Sequence, residues 1–93
     1  MAPERAARAA QVFRALGDPT RVQMVHMLRA SVDPICICDF TAAFELSQPT
    51  VSHHMARLRA AGLVTSYRRG IWTFYRLDPE LPVSVAAAVA AVP

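Results

Sequence analysis

The chain is 93 residues long, 54% apolar, and carries a formal net charge of +3. That length holds one small domain spanning residues 1–93 and leaves no room for a separate substrate-binding unit. It has no run of about eighteen large apolar residues and no signal-peptide start at Met1-Ala2-Pro3-Glu4-Arg5, so we expect no membrane association and a cytoplasmic location.

The first predicted helix covers residues 4–16, with Ala6, Ala9, Ala10, Phe13 and Leu16 on one side and Arg5, Arg8 and Arg14 facing out. Gly17 ends it. Asp18-Pro19 opens the second as cap and first-turn proline, and Val22, Met24, Val25 and Leu28 turn inward along a helix that reaches about Ala30. His26 sits among these apolar residues and is expected to be packed. Pro34 then breaks the helix by holding its predecessor extended. Ile35-Cys36-Ile37-Cys38 alternates with period two and reads as extended, after which Asp39 can cap a short third helix. In that helix Phe40 and Phe44, four apart, share a face.

Leu46-Ser47-Gln48 forms a tight turn into the segment on which the chain is organised. Ser47 caps a fourth helix, Pro49 fits its first turn, and Val51, Met55 and Leu58 make a buried stripe that runs to Gly62. Gly62 suits the left-handed residue that ends a helix. The opposite face, Thr50, His53, Arg57 and Ala60, is polar and carries no acid. A short helix, a turn and a longer polar-faced helix, over about residues 39–61, read as a helix-turn-helix. Residues 63–77 then read as a β-hairpin, or wing, with Arg68-Arg69-Gly70 at its tip. Residues 80–92 form a small-residue helix, expected with the helix at 4–16 to pack against a second copy. The expected architecture is mainly α (α+β): a winged helix-turn-helix in the order α-α-α-α-β-β-α, dimerising through its terminal helices.

All ten basic residues are arginine. Arg57, Arg59, Arg68, Arg69 and Arg76 lie between Leu46 and Leu77, a span without Asp or Glu. A local positive excess with no counter-charge points to a polyanion; the plainer alternative is a solvated basic face. Gln48, Thr50, Ser52 and His53 occupy the first two turns of the fourth helix, the part of such a helix that reaches base edges. Gln pairs well with adenine, and Ser or Thr serves base or phosphate. Arg57, Arg68 and Arg69 suit phosphates and the flanking minor groove. A symmetric dimer would set two such helices about 34 Å apart, so the expected partner is double-stranded operator DNA with an imperfect palindrome.

Cys36 and Cys38 are expected as thiols. On a regular helix, residues two apart diverge by about 200°; on an extended segment they share a face and can pinch one ion. Two close thiolates select thiophilic ions such as arsenite, antimonite, cadmium or lead. Packing alone is the alternative.

The segments Ala15-Leu16-Gly17-Asp18-Pro19-Thr20-Arg21, Ile35-Cys36-Ile37-Cys38-Asp39-Phe40, Leu46-Ser47-Gln48-Pro49-Thr50-Val51-Ser52-His53-His54-Met55, Leu58-Arg59-Ala60-Ala61-Gly62-Leu63-Val64 and Arg69-Gly70-Ile71-Trp72-Thr73-Phe74-Tyr75-Arg76-Leu77 together resemble the ArsR/SmtB family of winged-helix metalloregulators. The resemblance implies a cytoplasmic homodimer that binds operator DNA and represses until an ion or other signal releases it. Cys36-x-Cys38-Asp39 looks like the family's arsenic- or cadmium-sensing site, though such sites usually recruit a further cysteine that this chain does not have. Two thiolates suit trigonal trivalent arsenic or antimony, completed by a small ligand, better than tetrahedral zinc or cadmium, which takes four donors. The family's other common site, with Asp and His on the last helix, is not matched: residues 79–93 hold no His and only Glu80. Cadmium, lead, zinc or nickel sensing, thiol oxidation, and no inducer at the cysteines remain the alternatives. Nothing resembles Cys-x-x-Cys, a phosphate loop or paired catalytic acids, so no enzyme activity is expected.

Overall fold

The computed structural model describes residues 1–93 and contains five helices and three strands: α1 (Pro3–Leu16), α2 (Pro19–Ala30), β1 (Ile35–Cys36), α3 (Ile37–Phe44), α4 (Gln48–Ala60), β2 (Val64–Arg69), β3 (Trp72–Leu77) and α5 (Val83–Ala90). The winged helix-turn-helix expected from the sequence is present, with one addition. Ile35 pairs with Tyr75 and Cys36 with Phe74, so β1 joins the hairpin in an antiparallel sheet of order β1-β3-β2. No helix is long and apolar enough to cross a membrane.

Local chemistry accounts for most boundaries. Asp18 caps α2 by accepting the Arg21 backbone N–H at 3.0 Å, with Pro19 following. That bond is the largest influence on the Asp18 carboxyl and, with the nearby Arg21 charge, holds it below its ordinary 3.8, although burial, the next largest, pushes the other way. A depressed carboxylate contributes stability that is present above its unfolded pKa and is lost as pH falls through the folded one. The cap of α2 therefore weakens only in acid below about 4. Ser47 caps α4 in the same way, accepting from Thr50 N–H at 3.3 Å. Gly62 ends that helix at φ +79°, and Leu63 N–H closes back on Leu58 C=O at 3.0 Å, the bond that a left-handed residue past the C-terminus makes possible.

The core is built where the four elements around α4 meet. Val51, Met55 and Leu58 of α4 interlock with Met24 and Val25 of α2, Phe40 and Ile37 of α3, and Leu63, all almost wholly buried; no polar or charged side chain joins them. Phe40 stacks on Phe44 and meets Tyr75 edge-on, with centroids 6.3 Å apart in both cases. This aromatic group fastens the helix-turn-helix to β3. Between α3 and α4, Glu45 takes the left-handed conformation (φ 54°), a local strain of about 1–2 kcal/mol for a residue with a Cβ. The surrounding core holds α4 at its angle despite that cost.

Several expectations are corrected. The buried side of α1 is Val12 and Ala15, and Phe13 is 65% exposed. Of the stripe drawn from sequence, Ala6, Ala9 and Phe13 are exposed, while Leu16 packs half-buried against the core. His26 is exposed and bonds to the Pro93 carbonyl instead of packing. The last helix begins at Val83, not at residue 80, because Asp78 ties the Glu80 N–H in a turn at 2.9 Å and Pro82 precedes the first helical residue. It ends at Ala90, short of residue 92; Val89 within it and Val92 just beyond it are buried, and α5 packs on α1. The hairpin turns at Gly70-Ile71, Gly70 with φ +65°, and Arg69 pairs with Trp72 as the last rung. Arg68 and Arg69 are thus the end of β2, not the tip itself.

Candidate DNA-binding surface and thiol pair

The reading face of α4 forms as its sequence implies. With Val51, Met55 and Leu58 committed to the core, the helical period turns Gln48, Thr50, His53, Arg57 and Ala60 to solvent, and all five are exposed. Ser52 lies on the flank of that face and is half-buried. The Thr50 hydroxyl is hydrogen-bonded to the Ser47 hydroxyl at 2.9 Å, so one member of the predicted set is already oriented by the cap. Gln48, Thr50, Ser52 and His53 therefore share the first two turns of one exposed helix, as expected.

The hairpin adds charge rather than another reading element. Strand alternation sends Arg68 and Arg69 to opposite faces of β2. Both are exposed, Arg68 opposite Thr73 and Arg69 opposite Trp72. Tyr67 and Phe74 stack across the strands with centroids 5.5 Å apart and stiffen the hairpin that carries them. The one close approach between an acidic and a basic side chain brings His54 Nδ1 to 3.9 Å from an Asp18 carboxylate oxygen. Arg57, Arg59, Arg68, Arg69 and Arg76 have no acidic partner in three dimensions, as they have none along the sequence.

His54 is half-buried and turns from the reading face toward α2. Its Nδ1 lies 3.2 Å from Arg21 Nη1, and Arg21 Nε donates to the Ala15 carbonyl at 2.7 Å. Arg21 thereby ties the end of α1 to α4. Sequence reasoning quoted Arg21 only as part of a motif and missed this role. The available signal was the pairing of an arginine in a helix's first turn with a histidine on the next long helix.

The two cysteines meet by a route the sequence reading did not draw. The extended segment stops at Cys36, and Cys38 is already helical. Cys36, not Asp39, is the cap of α3, its sulfur accepting the Cys38 N–H at 3.3 Å. The structure joins the two residues as a disulfide and leaves no free cysteine, where thiols were expected. The cause is geometric. A strand turning directly into a helix brings the Cα atoms to 5.1 Å, inside the roughly 4.4–6.8 Å that a disulfide spans. No group of three or more His, Cys, Asp or Glu side chains gathers anywhere in the chain, so the cysteine donors stand as a pair.

Comparisons with known proteins agree with this arrangement. The family model described as "Bacterial regulatory protein, arsR family" matches residues 18–66, from the cap of α2 into β2. The chain is 46% identical over 81 residues to the "Arsenic resistance transcriptional regulator ArsR1" of Pseudomonas putida, covering 87% of this chain and 62% of that protein. It is 38% identical over 79 residues to the "Arsenical resistance operon repressor" of Escherichia coli, covering 85% and 67%. Thus the chain spans about three-fifths of the length of its Pseudomonas relative. Among solved structures, the homodimeric winged helix-turn-helix DNA-binding domain Mb0332 of Mycobacterium bovis superposes with a TM-score of 0.78 at 26% identity, over 99% of this chain and 83% of that one. The family is one of regulators, not enzymes, and the chain belongs to it: it is a member of the arsR family of bacterial regulatory proteins.

Proposed function

We propose that the protein is a cytoplasmic, DNA-binding transcriptional repressor that leaves its operator when a thiophilic ion, trivalent arsenic or antimony, binds reduced Cys36 and Cys38. The observation that carries the DNA reading is the exposed, acid-free face of α4 beside a hairpin whose arginines lack any acidic partner. Gln48, Thr50, Ser52 and His53 contact base edges or the nearest phosphates, and Arg57, Arg68 and Arg69 track the backbone. Phe13 and Val83 leave apolar area on the outer sides of α1 and α5, 65% and 88% exposed, which a second copy would cover. Two-fold symmetry then implies an imperfectly palindromic operator with half-sites about one helical turn apart.

The donor set supports the choice of ion. Two sulfurs already in contact, with no third side-chain ligand near them, suit a trigonal ion that completes its shell with hydroxide or a small thiol. A closed tetrahedral site takes four donors. Cys36 caps α3, and α3 leads through Leu46-Ser47 into α4, so an ion that rearranges the cap acts on the reading helix through one short element. An ion preferring free over DNA-bound dimer weakens DNA binding by the same factor, typically about 5- to 150-fold.

The expected result is that arsenite releases the reduced wild-type protein from a duplex carrying the region upstream of its own gene and leaves the Cys36→Ser/Cys38→Ser variant bound. Equal release of both would remove the thiols from the mechanism. The disulfide favours a second reading, in which oxidation of the two thiols is itself the signal. Release by peroxide without arsenite, with loss of two hydrogen atoms per chain as the peroxide is reduced to water, would select it.

A further inference from the structure

The α4 helix has a second polar edge that the base-reading set does not use. Ser52, Met55, Ala56, Arg59 and Ala60, with Tyr75 of β3, line an open cavity of about 470 Å³. Ser52 and Arg59 are seven residues apart, which places them within about 20° of each other around the helix and about 10 Å apart along it. Tyr75 faces them across the cavity. Its ring is held edge-on by Phe40, and the residue is 7% exposed.

The chemistry of this lining is selective. It has one cation, two hydroxyls and no carboxylate, on walls of Met55, Ala56 and Ala60. Apolar walls around a single sign of charge concentrate its field. Arg59 has no acidic partner. Burial raises the pKa of the Tyr75 phenol, with the Ser52 hydroxyl and the Arg59 charge pulling the other way; at neutral pH the phenol keeps its proton and can donate it in a hydrogen bond. A cavity with a guanidinium and two hydroxyl donors fits a monoanionic phosphodiester. It lies on the edge of the helix face that would meet a major groove, where the flanking backbone passes.

We propose that this cavity seats one phosphodiester of the operator backbone in each half-site, with Arg59 as counter-charge and the Tyr75 and Ser52 hydroxyls as donors. The proposal rests on the DNA-binding reading and adds Arg59 and Tyr75 to it. A phosphate held at this edge fixes how deeply, and in which register, α4 sits in the groove, because backbone contacts position while base contacts specify. Tyr75 is also a core residue through its ring, so its hydroxyl alone carries the binding role.

The test replaces the phosphates of the upstream duplex one at a time with neutral methylphosphonates and measures affinity for wild type, Arg59→Ala and Tyr75→Phe. Wild type should lose about fivefold at one phosphate in each half-site, the value of one screened contact near 0.15 M salt. That position should become silent in Arg59→Ala and weaker in Tyr75→Phe, while the other positions keep their penalties. The salt slope of Arg59→Ala should be shallower by about 2, two arginines per dimer. Both variants should keep the wild-type melting temperature, Arg59 being exposed and phenylalanine preserving the ring contact with Phe40. If wild type binds with its full salt dependence and the variants give the same penalty map, the cavity holds no phosphate and only this proposal fails. If wild type shows no salt-dependent binding, the DNA reading fails and takes the proposal with it.

Discussion

Replacing Arg68 and Arg69 with alanine is expected to weaken duplex DNA binding by about 10²- to 10³-fold at 0.15 M salt, with little change in sequence preference. The size follows from counterion release. A dimer loses four guanidinium groups, each worth about 0.9 in the slope of log affinity against log salt, or about fivefold at that concentration. Sequence preference should survive because these contacts fall on phosphates. Both side chains end β2 on opposite faces and are exposed, so the fold should not register their loss. Measuring affinity at several salt concentrations checks both parts. If these arginines were only a solvated face, the double variant would bind within about threefold of wild type, with an unchanged slope.

The second large effect concerns stability. Phe40→Ala is expected to cost about 3–5 kcal/mol, the range for truncating a buried aromatic. Phe40 is completely buried, stacks on Phe44 and meets Tyr75 of β3 edge-on. A small domain has only about 5–15 kcal/mol of stability in total, so the variant should be partly unfolded at growth temperature. Urea denaturation should report a lower midpoint with an unchanged slope. Because α3 joins the thiol pair to the reading helix, this position supports both halves of the proposed switch. A cost below about 1 kcal/mol would show that the aromatic group is not what holds the helix-turn-helix on the sheet.

Legibility from sequence followed the range of the interactions. Ser47, Pro49, the Val51-Met55-Leu58 stripe and Gly62 are all local signals on one helix, and α4 starts, faces and stops where they place it. The hairpin was likewise visible from strand propensity around Gly70. What escaped depends on residues distant in sequence. The pairing of Ile35 with Tyr75 makes β1 a strand, yet no pattern within two residues announces its partner. The Arg21–His54 contact crosses 33 positions. On α1 the sequence showed an apolar side but not that Val12 and Ala15, outside the side drawn, are the residues this chain's own core takes in. At the thiols, alternation suggested a strand through Cys38, whereas the backbone turns into α3 after Cys36 and uses that sulfur as its cap. The expected proximity is therefore real, but it arises from helix capping.

The most direct test of the DNA-binding claim is the salt dependence of wild-type binding to a duplex from upstream of its own gene. A dimer that neutralises roughly three to five phosphates per protomer should give a slope of log affinity against log salt of about −5 to −9. A slope near zero would contradict the account, because the unpaired arginines of α4 and the hairpin would then have no polyanion to meet.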